Sequence, residues 1–213
     1  MTNQIIHVAI DGTVASGKGT IAKRLSESIG IPTLDTGAVY RGIAVHVANG
    51  GTIEEIASGK KTLTAKIIDN KTHVFLDKAD VTGKLRDNEI SVLTGKIAPV
   101  PLARQICTKI FQDLAKDQSL VVEGRDICSV VLPNARYKFY LTASKKVRAK
   151  RRYDELLSRG QTVPFKQVLK ETKARDKSDM TKGGLKRTKD AILIDSSKLD
   201  PEQVYIKIKG YIK

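Results

Sequence analysis

Short apolar segments alternate with segments of helical periodicity along most of the chain. Residues 5–10 are largely apolar, which predicts a strand that is buried on both faces. A glycine-rich turn follows, and residues 21–29 then place apolar side chains on one face of a predicted helix. Gly30 and Pro32 end that helix. The chain therefore opens with a strand, a turn and a helix.

The same alternation predicts most of the remaining elements. Further strands are expected at 31–34, 120–122, 139–141 and 191–194. Further helices are expected at 38–47, 102–116 and 144–158, after Pro164, and after Asp200-Pro201, where an N-cap precedes a proline at the first helical position. Residues 52–55 (Thr-Ile-Glu-Glu) have the pattern of a capping box, and residues 176–189 read as a polar segment. Strands alternating with helices indicate an α/β fold, with a mostly parallel sheet covered by helices on both faces.

The pattern changes between residues 66 and 83, where short strands are separated by turn residues. Asp69-Asn70-Lys71 is a turn between two such strands, and Asp80-Val81-Thr82-Gly83 is a further short segment. We expect a small antiparallel insert at residues 61–91, with the core formed by 1–60 and 92–213.

The segment from Asp11 to Thr20 (DGTVASGKGT) matches G-x-x-x-x-G-K between a predicted strand and a predicted helix. Glycines let the backbone wrap closely around phosphates, and successive N–H groups and the helix N-terminus attract anions. Lys18 supplies a positive charge for the β- and γ-phosphates. Gly19 stands where the strict pattern has Ser or Thr, and the hydroxyl comes one place later, which weakens the case for a Mg²⁺ ligand there. The expected nucleotide-binding residues are Gly12, Thr13, Val14, Ala15, Ser16, Gly17, Lys18, Gly19 and Thr20.

Four further strings, together with Gly-Lys-Gly-Thr, resemble the bacterial cytidylate kinases among the nucleoside monophosphate kinases. They are Leu34-Asp-Thr-Gly-Ala-Val-Tyr-Arg41, Asp80-Val-Thr-Gly-Lys-Leu-Arg86, Glu123-Gly-Arg-Asp126 and Arg175-Asp-Lys-Ser-Asp179. The likeness runs nearly from end to end and in order. It implies a P-loop kinase fold, ATP and Mg²⁺, and a lid at about residues 148–187. The implied reaction moves the γ-phosphoryl group of ATP to CMP or dCMP, and a P-loop kinase for another nucleoside monophosphate is the alternative.

The resemblance also implies roles for single residues. It makes Lys18, Arg41, Arg125 and Arg175 catalytic, with Arg41 and Arg125 on the acceptor phosphate. Arg104 and Asp126 would face the cytosine, because a carboxylate accepts from the N4 amino group and disfavours the oxygen of uracil. Arg175 and Asp179 would reach the sugar hydroxyls and phosphates. Thr36 and Lys182 complete the substrate set, and Arg151 and Arg152 join the ATP site.

This sequence departs from the family pattern at several positions. Glu123 stands where aspartate is usual and can hold Mg²⁺ through water. Lys182 stands where arginine usually clamps phosphates, and lysine lacks the bidentate fork. Gly95 stands where a serine contacts the base, with Thr94 one place away, so that contact is not assigned. Arg148, Arg151 and Arg152 cannot all point at one ligand from a single helix.

Composition changes this interpretation little. The formal charge of +15 is compatible with the binding of small polyanions as well as nucleic acid. Aromatic residues make up only 5% of the chain and tryptophan is absent, so few side chains are available to stack on nucleic-acid bases. A GTPase is disfavoured, because no N-K-x-D follows a strand. Three scattered histidines indicate no structural metal site.

The apolar runs are too short for a membrane helix, the first residues do not resemble a signal peptide, and Cys107 and Cys128 form no CxxC pair. We expect a cytoplasmic monomer with reduced thiols and with no membrane or nucleic-acid partner.

Overall fold

A computed structural model describes residues 5–181 and 184–213, and within them the chain forms eight strands and eight α-helices. The strands are β1 (His7–Gly12), β2 (Thr33–Leu34), β3 (Leu63–Ile68), β4 (Lys71–Leu76), β5 (Ala79–Asp80), β6 (Leu120–Gly124), β7 (Tyr137–Thr142) and β8 (Ile192–Asp195). The helices are α1 (Lys18–Ile29), α2 (Thr36–Ala48), α3 (Ile53–Ala57), α4 (Asn88–Ile97), α5 (Pro101–Asp117), α6 (Lys145–Ser158), α7 (Phe165–Thr181) and α8 (Pro201–Lys209). A 3₁₀ turn covers Thr82–Lys84 and a π-helical turn covers Ile127–Val131.

The larger sheet in the described residues has five strands in the order β2-β6-β1-β7-β8. The pairs β2–β6, β1–β7 and β7–β8 are parallel, with Ile10 opposite Phe139 and Phe139 opposite Ile192. Ile10 and Phe139 have no exposed surface, which explains the apolar runs. The predicted α/β class is confirmed. β1 begins at His7 instead of Ile5 and continues to Gly12, so it leads directly into the glycine-rich turn.

One compact unit comprises residues 5–7 and 30–122. Its small sheet is antiparallel in the order β3-β4-β5, which confirms an antiparallel insert in the α/β fold. Asp69 and Asn70, between β3 and β4, have φ of 49° and 58°, the two positive values that a tight hairpin turn needs. Gly42 of α2 lies so close to the sheet that a Cβ atom would be 2.6 Å from Cγ1 of Val74. The boundaries of the insert stay a prediction, because the same unit also holds α2 to α5.

The other compact unit comprises Val8–Ile29 and Glu123–Lys213, as far as they are described. Within it α1 and α8 contact each other, and the Tyr205 hydroxyl donates to the Ser28 hydroxyl at 2.7 Å. Asp200 caps α8 and Pro201 is its first residue, as predicted. The capping box that we predicted at Thr52 is present at the start of α3, in the first unit.

Three elements differ from the sequence-based expectation. Helix α4 was not predicted, although Ile90 and Ile97, which are two helical turns apart, are both buried. Helix α7 continues to Thr181, where we predicted a polar segment from residue 176. Asp176 and Asp179 are buried on this helix in ion pairs, so polar composition there does not indicate a loop. The π-helical turn at Ile127–Val131 had no signal in the hydrophobic pattern.

Candidate active site

The loop between β1 and α1 has the close backbone packing that its glycines predict. A Cβ atom at Gly12 would lie 1.9 Å from the carbonyl oxygen of Leu141 on the neighbouring strand β7, so no larger residue fits there. Gly17 has φ of 96°, in the region that favours glycine. Ala15 also has a positive φ, 55°, which is uncommon for a residue with a side chain. The loop is therefore tightly constrained at three positions.

Helix α1 begins at Lys18, and its first hydrogen bond within this turn runs from the N–H of Ile21 to the carbonyl of Gly17 at 3.1 Å. The N–H groups that precede Ile21 have no carbonyl partner inside the helix and carry the positive end of the helix dipole. No acidic residue occupies the first turn of α1 to neutralise it. This end of α1 is therefore suited to bind phosphate.

The Lys18 side chain is buried, and its Nζ donates to the carbonyl oxygen of Thr13 at 2.8 Å. Burial, and secondarily the positive charge of Arg125, lower the pKa of Lys18 to about 8. Glu123 and Asp179 act in the opposite direction. An anionic ligand would stabilise the charged form of this buried ammonium group. A bound phosphate would compensate for the lost solvation and raise the pKa of Lys18.

Asp179 joins two of the predicted arginines. Its Oδ2 accepts from Nε of Arg125 at 2.6 Å and its Oδ1 accepts from Nε of Arg175 at 3.0 Å. The side chain of Asp179 is 6% exposed, compared with 23% for Arg125 and 56% for Arg175. Two guanidinium groups share one carboxylate, so the cluster keeps a net positive charge and leaves N–H groups of Arg175 accessible.

Two carboxylates lie close to the loop. An ideal Cβ atom at Gly19 would be 4.0 Å from Oε1 of Glu123, which follows the buried part of β6. Asp11, immediately before Gly12, accepts from the N–H groups of Ile127 at 2.9 Å and Cys128 at 2.8 Å. Burial is the main cause of the raised pKa of Asp11.

The three arginines of α6 have different surroundings. Arg148 is buried, and it donates to the carbonyl of Val14 in the loop at 3.0 Å and to both carboxylate oxygens of Asp176. Arg151 donates to the carbonyl of Ser16 at 3.2 Å, to the hydroxyl and carbonyl of Ser196, and to the carbonyl of Leu199. Arg152 pairs with Glu155 instead. Arg148 and Arg151 of α6 thus donate hydrogen bonds to backbone carbonyls of the loop.

A cavity of about 470 Å³ lies beside the loop within the same unit. Its wall is mostly apolar, and one side is formed by residues of the loop and α1, the other by α6 and the segment that leads into α8. Arg151, Arg152 and Glu155 supply the charged groups of the wall. A mostly apolar hollow with a few polar groups at its edge is typical of a site for a planar organic ring.

Asp126 immediately precedes the π-helical turn Ile127–Val131, in the same compact unit as the loop, whereas the other remaining predicted residues belong to the other compact unit or fall outside the description. Asp35 caps α2 by accepting from the N–H of Ala38 at 3.0 Å, and Arg41, one turn further on, lies 3.6 Å from its carboxylate. Thr36 is the first residue of α2, and Arg104 is a half-buried residue of α5. Lys182 lies outside the described residues.

Sequence reasoning assigned no role to Asp11, Asp176 or Ser196, which link the loop to the segments around it. Asp11 is adjacent to the motif, and a charged residue that ends an apolar strand was the available signal. Asp176 and Ser196 had no such signal, because their partners are 28 and 45 residues away. Among residues 5–181 and 184–213, no three His, Cys, Asp or Glu side chains are grouped to hold a metal ion, and no helix is long and apolar enough to cross a membrane.

Solved structures with this fold include an uncharacterized protein from Eubacterium ventriosum, at a TM-score of 0.56 and 17% identity over 98% of both chains. A shikimate kinase from Bacteroides thetaiotaomicron has a TM-score of 0.52 and 10% identity, over 98% of this chain and 97% of that one. At such identities the likeness concerns the fold. Together with the loop around Lys18, it defines a P-loop kinase fold.

Within that class, the chain belongs to the cytidylate kinase family, whose model matches residues 8–213. A cytidylate kinase of Thermosipho melanesiensis is 41% identical over 208 residues, covering 97% of this chain and 96% of the relative. One from Caldicellulosiruptor bescii is 39% identical over 212 residues, covering 95% and 93%. The resemblance seen in the sequence motifs is confirmed.

Proposed function

We propose that this protein transfers the γ-phosphoryl group of ATP to CMP or dCMP, giving ADP and CDP or dCDP. Membership of the cytidylate kinase family supports the reaction. The structural observation that supports this reaction most directly is the buried Lys18 at the start of α1. It lies beside the cluster of Arg125, Asp179 and Arg175. A phosphate-binding helix end and a cationic cluster in one compact unit suit a reaction between two polyanions.

The donor nucleotide is assigned to the loop and the cavity beside it. The phosphates of ATP contact the N–H groups of residues 12–20, and the Lys18 ammonium exchanges the Thr13 carbonyl for phosphate oxygens. The base occupies the apolar cavity next to Arg152. Arg151 contributes indirectly, since its guanidinium donates to backbone carbonyls on two sides of the cavity.

The acceptor is assigned to the residues that the family resemblance implies. Arg41 and Arg125 neutralise the phosphate of CMP. Arg104 and Asp126 contact the cytosine, with Asp126 accepting from its N4 amino group, and Asp179 and Arg175 contact the sugar. Thr36 and Lys182 remain predicted members of this site. For Arg125 the proposal requires that phosphate replace or share its present partner Asp179.

The chemistry requires positioning and charge compensation. The attacking oxygen of the CMP phosphate is already anionic, so no general base is needed. Lys18, Arg41, Arg125 and Arg175 reduce the repulsion between donor and acceptor and stabilise the charge of the in-line transition state. The predicted lid, at about residues 148–187, closes over the phosphates and excludes water, which would otherwise hydrolyse ATP.

Mg²⁺ fits the residues present. It prefers oxygen ligands and usually keeps several waters, binding through one or two carboxylates and the phosphates of the substrate. Glu123 is such a carboxylate close to the loop at Gly19. When bound, Mg²⁺ would supply positive charge that offsets the negative charge of the phosphates. Thr20, an exposed residue in the first turn of α1, supplies a hydroxyl group one residue after Gly19.

A coupled assay of ADP formation with a panel of nucleoside monophosphates tests the proposal. We expect the highest kcat/KM with CMP and dCMP, and little turnover with UMP, AMP or GMP. A preference for another monophosphate would replace this function by that of a related P-loop kinase. Absence of turnover with every monophosphate, from a folded protein, would contradict both. The monomeric state, the cytoplasmic location and the lack of a nucleic-acid partner remain predictions.

A further inference from the structure

The buried carboxylate of Asp11 takes no part in the reaction proposed above. It lies one residue before Gly12, and the residue is 1% exposed. Its two oxygens accept one backbone N–H each, Oδ1 from Ile127 and Oδ2 from Cys128. The partners are 116 and 117 residues away along the chain, so Asp11 joins the start of the phosphate-binding loop to the segment after β6.

The two N–H groups belong to the first turn of the π-helical segment Ile127–Val131, directly after Arg125 and Asp126. The rest of that turn is tightly bonded, since the N–H of Val130 donates to the carbonyl of Asp126 at 2.8 Å. On the other side, Gly124 packs closely against Ile127, since a Cβ atom at Gly124 would lie 2.8 Å from the Ile127 side chain. Arg125 and Asp126 therefore lie between this close contact and the two N–H groups that Asp11 binds.

We propose that Asp11 is a positioning residue for the acceptor: by holding the N–H groups of Ile127 and Cys128, it sets the place of Arg125 and Asp126 relative to the phosphate-binding loop. This inference rests on the proposed function, because it assigns these two residues to CMP. A small displacement of reacting groups is expensive in phosphoryl transfer. The Asp11 carboxylate thus sets the position of the residues assigned to CMP relative to the loop assigned to ATP.

The physical argument predicts an asymmetric effect. The glycine-rich loop has its own supports, namely the contact of Gly12 with Leu141 and the bonds from Arg148 and Arg151 to loop carbonyls. The segment after Gly124 depends on Asp11 for two of its N–H groups. Loss of the carboxylate should therefore disturb CMP much more than ATP.

The test uses Asp11→Asn, which keeps the size of the side chain but turns an amide N–H₂ group toward a backbone N–H. In the full-length enzyme we expect KM for CMP to rise and kcat to fall, each by about tenfold, with KM for ATP changed less than about twofold. Ile208→Val is the control for stability, since Ile208 is fully buried in α8 and does not line the cavity beside the loop. A similar loss of thermal stability in that variant should leave both KM values unchanged.

A double-mutant cycle separates positioning from a general structural role. If Asp11 acts through Arg125, Asp11→Asn should change kcat/KM for CMP by less than about threefold in an Arg125→Ala background, since residues of one network are not additive. Equal rises in KM for both nucleotides, or additive losses in the cycle, would overturn the proposal. If wild-type enzyme lacks activity toward CMP, the proposed function fails first, whereas activity of the wild type with an unaffected Asp11→Asn variant rejects only this inference.

Should Asp11→Asn not fold, amide hydrogen exchange of the wild-type protein provides the test. We expect CMP to slow exchange at Ile127 and Cys128 more than a non-hydrolysable ATP analogue does, because CMP binds the residues just before them. An equal response to the two nucleotides, or none to CMP, would overturn the assignment.

Discussion

The guanidinium of Arg148 donates two parallel hydrogen bonds to the carboxylate of Asp176, at 2.8 and 2.6 Å, and both side chains are almost completely buried. Arg148 also donates to the carbonyls of Ala143 and Val14. The pair connects α6, the phosphate-binding loop and α7. Asp176 lies one turn before Asp179, so the same connection determines where α7 presents Asp179 and Arg175.

Breaking this pair should cost much more than replacing it. Arg148→Met leaves the Asp176 carboxylate buried without its partner, and we expect the free energy of unfolding to fall by about 3–5 kcal/mol. The double variant Arg148→Met/Asp176→Leu removes both charges and should recover most of that loss. Urea denaturation of the three proteins measures the difference. A double variant as unstable as the single one would show that the buried charge is not the cause.

Lys18→Met tests the phosphate-binding loop. The variant should remain folded, because a buried ammonium is replaced by an apolar chain of similar length, while kcat falls by at least about a hundredfold through loss of transition-state charge stabilisation. Lys23→Met, at an exposed position of the same helix, is the matched control. Activity of Lys18→Met within about tenfold of wild type would reject the role of this lysine.

The lowered pKa of Lys18, about 8, predicts a pH dependence. In the free enzyme the ammonium loses its proton as the pH rises through that value, so kcat/KM for ATP should decline on the alkaline side, beginning near pH 8. The Lys18→Arg variant keeps its charge in this range and should lack that limb, whatever its absolute activity. A flat wild-type profile up to pH 10 would contradict the assignment.

Asp126 is predicted to select the base. Asp126→Ala removes the acceptor for the N4 amino group of cytosine, and the ratio of kcat/KM for CMP over UMP should fall by about 5- to 150-fold. This corresponds to about 1–3 kcal/mol, the scale of a good base contact. Competition between the two monophosphates measures the ratio directly. A variant that prefers CMP as strongly as wild type would assign base recognition elsewhere.

Arg151 is predicted to support the donor site. Arg151→Met removes the hydrogen bonds that join the carbonyl of Ser16 to Ser196 and Leu199, on two sides of the cavity assigned to the base. We expect KM for ATP to rise about tenfold, as for a removed polar contact of 1–1.5 kcal/mol, with KM for CMP nearly unchanged. Lys150→Met, the exposed neighbour on α6, should behave as wild type. Equal rises for both nucleotides would indicate a general loss of structure.

The periodic pattern of the sequence predicted the parallel sheet, most helices and the antiparallel insert, because these depend on the spacing of apolar residues. It failed at α7, where Asp176 and Asp179 look like residues of a polar loop. Each carboxylate is buried against arginine from another segment, and such partners have no spacing that a local pattern can register.

The loop around Lys18 and the family of the chain can be recognised in the sequence alone, since both depend on short strings with fixed internal spacing. The roles of the charged residues around that loop depend on contacts that form only in the folded chain. Arg148 and Arg151 both bind loop carbonyls, whereas Arg152 pairs with Glu155. Arg151 and Arg152 line the cavity, and Arg148 does not. Asp11 became a candidate only when the fold brought it to Ile127. The free-energy cost of burying a charge is offset by partner groups that come into contact only when the chain is folded.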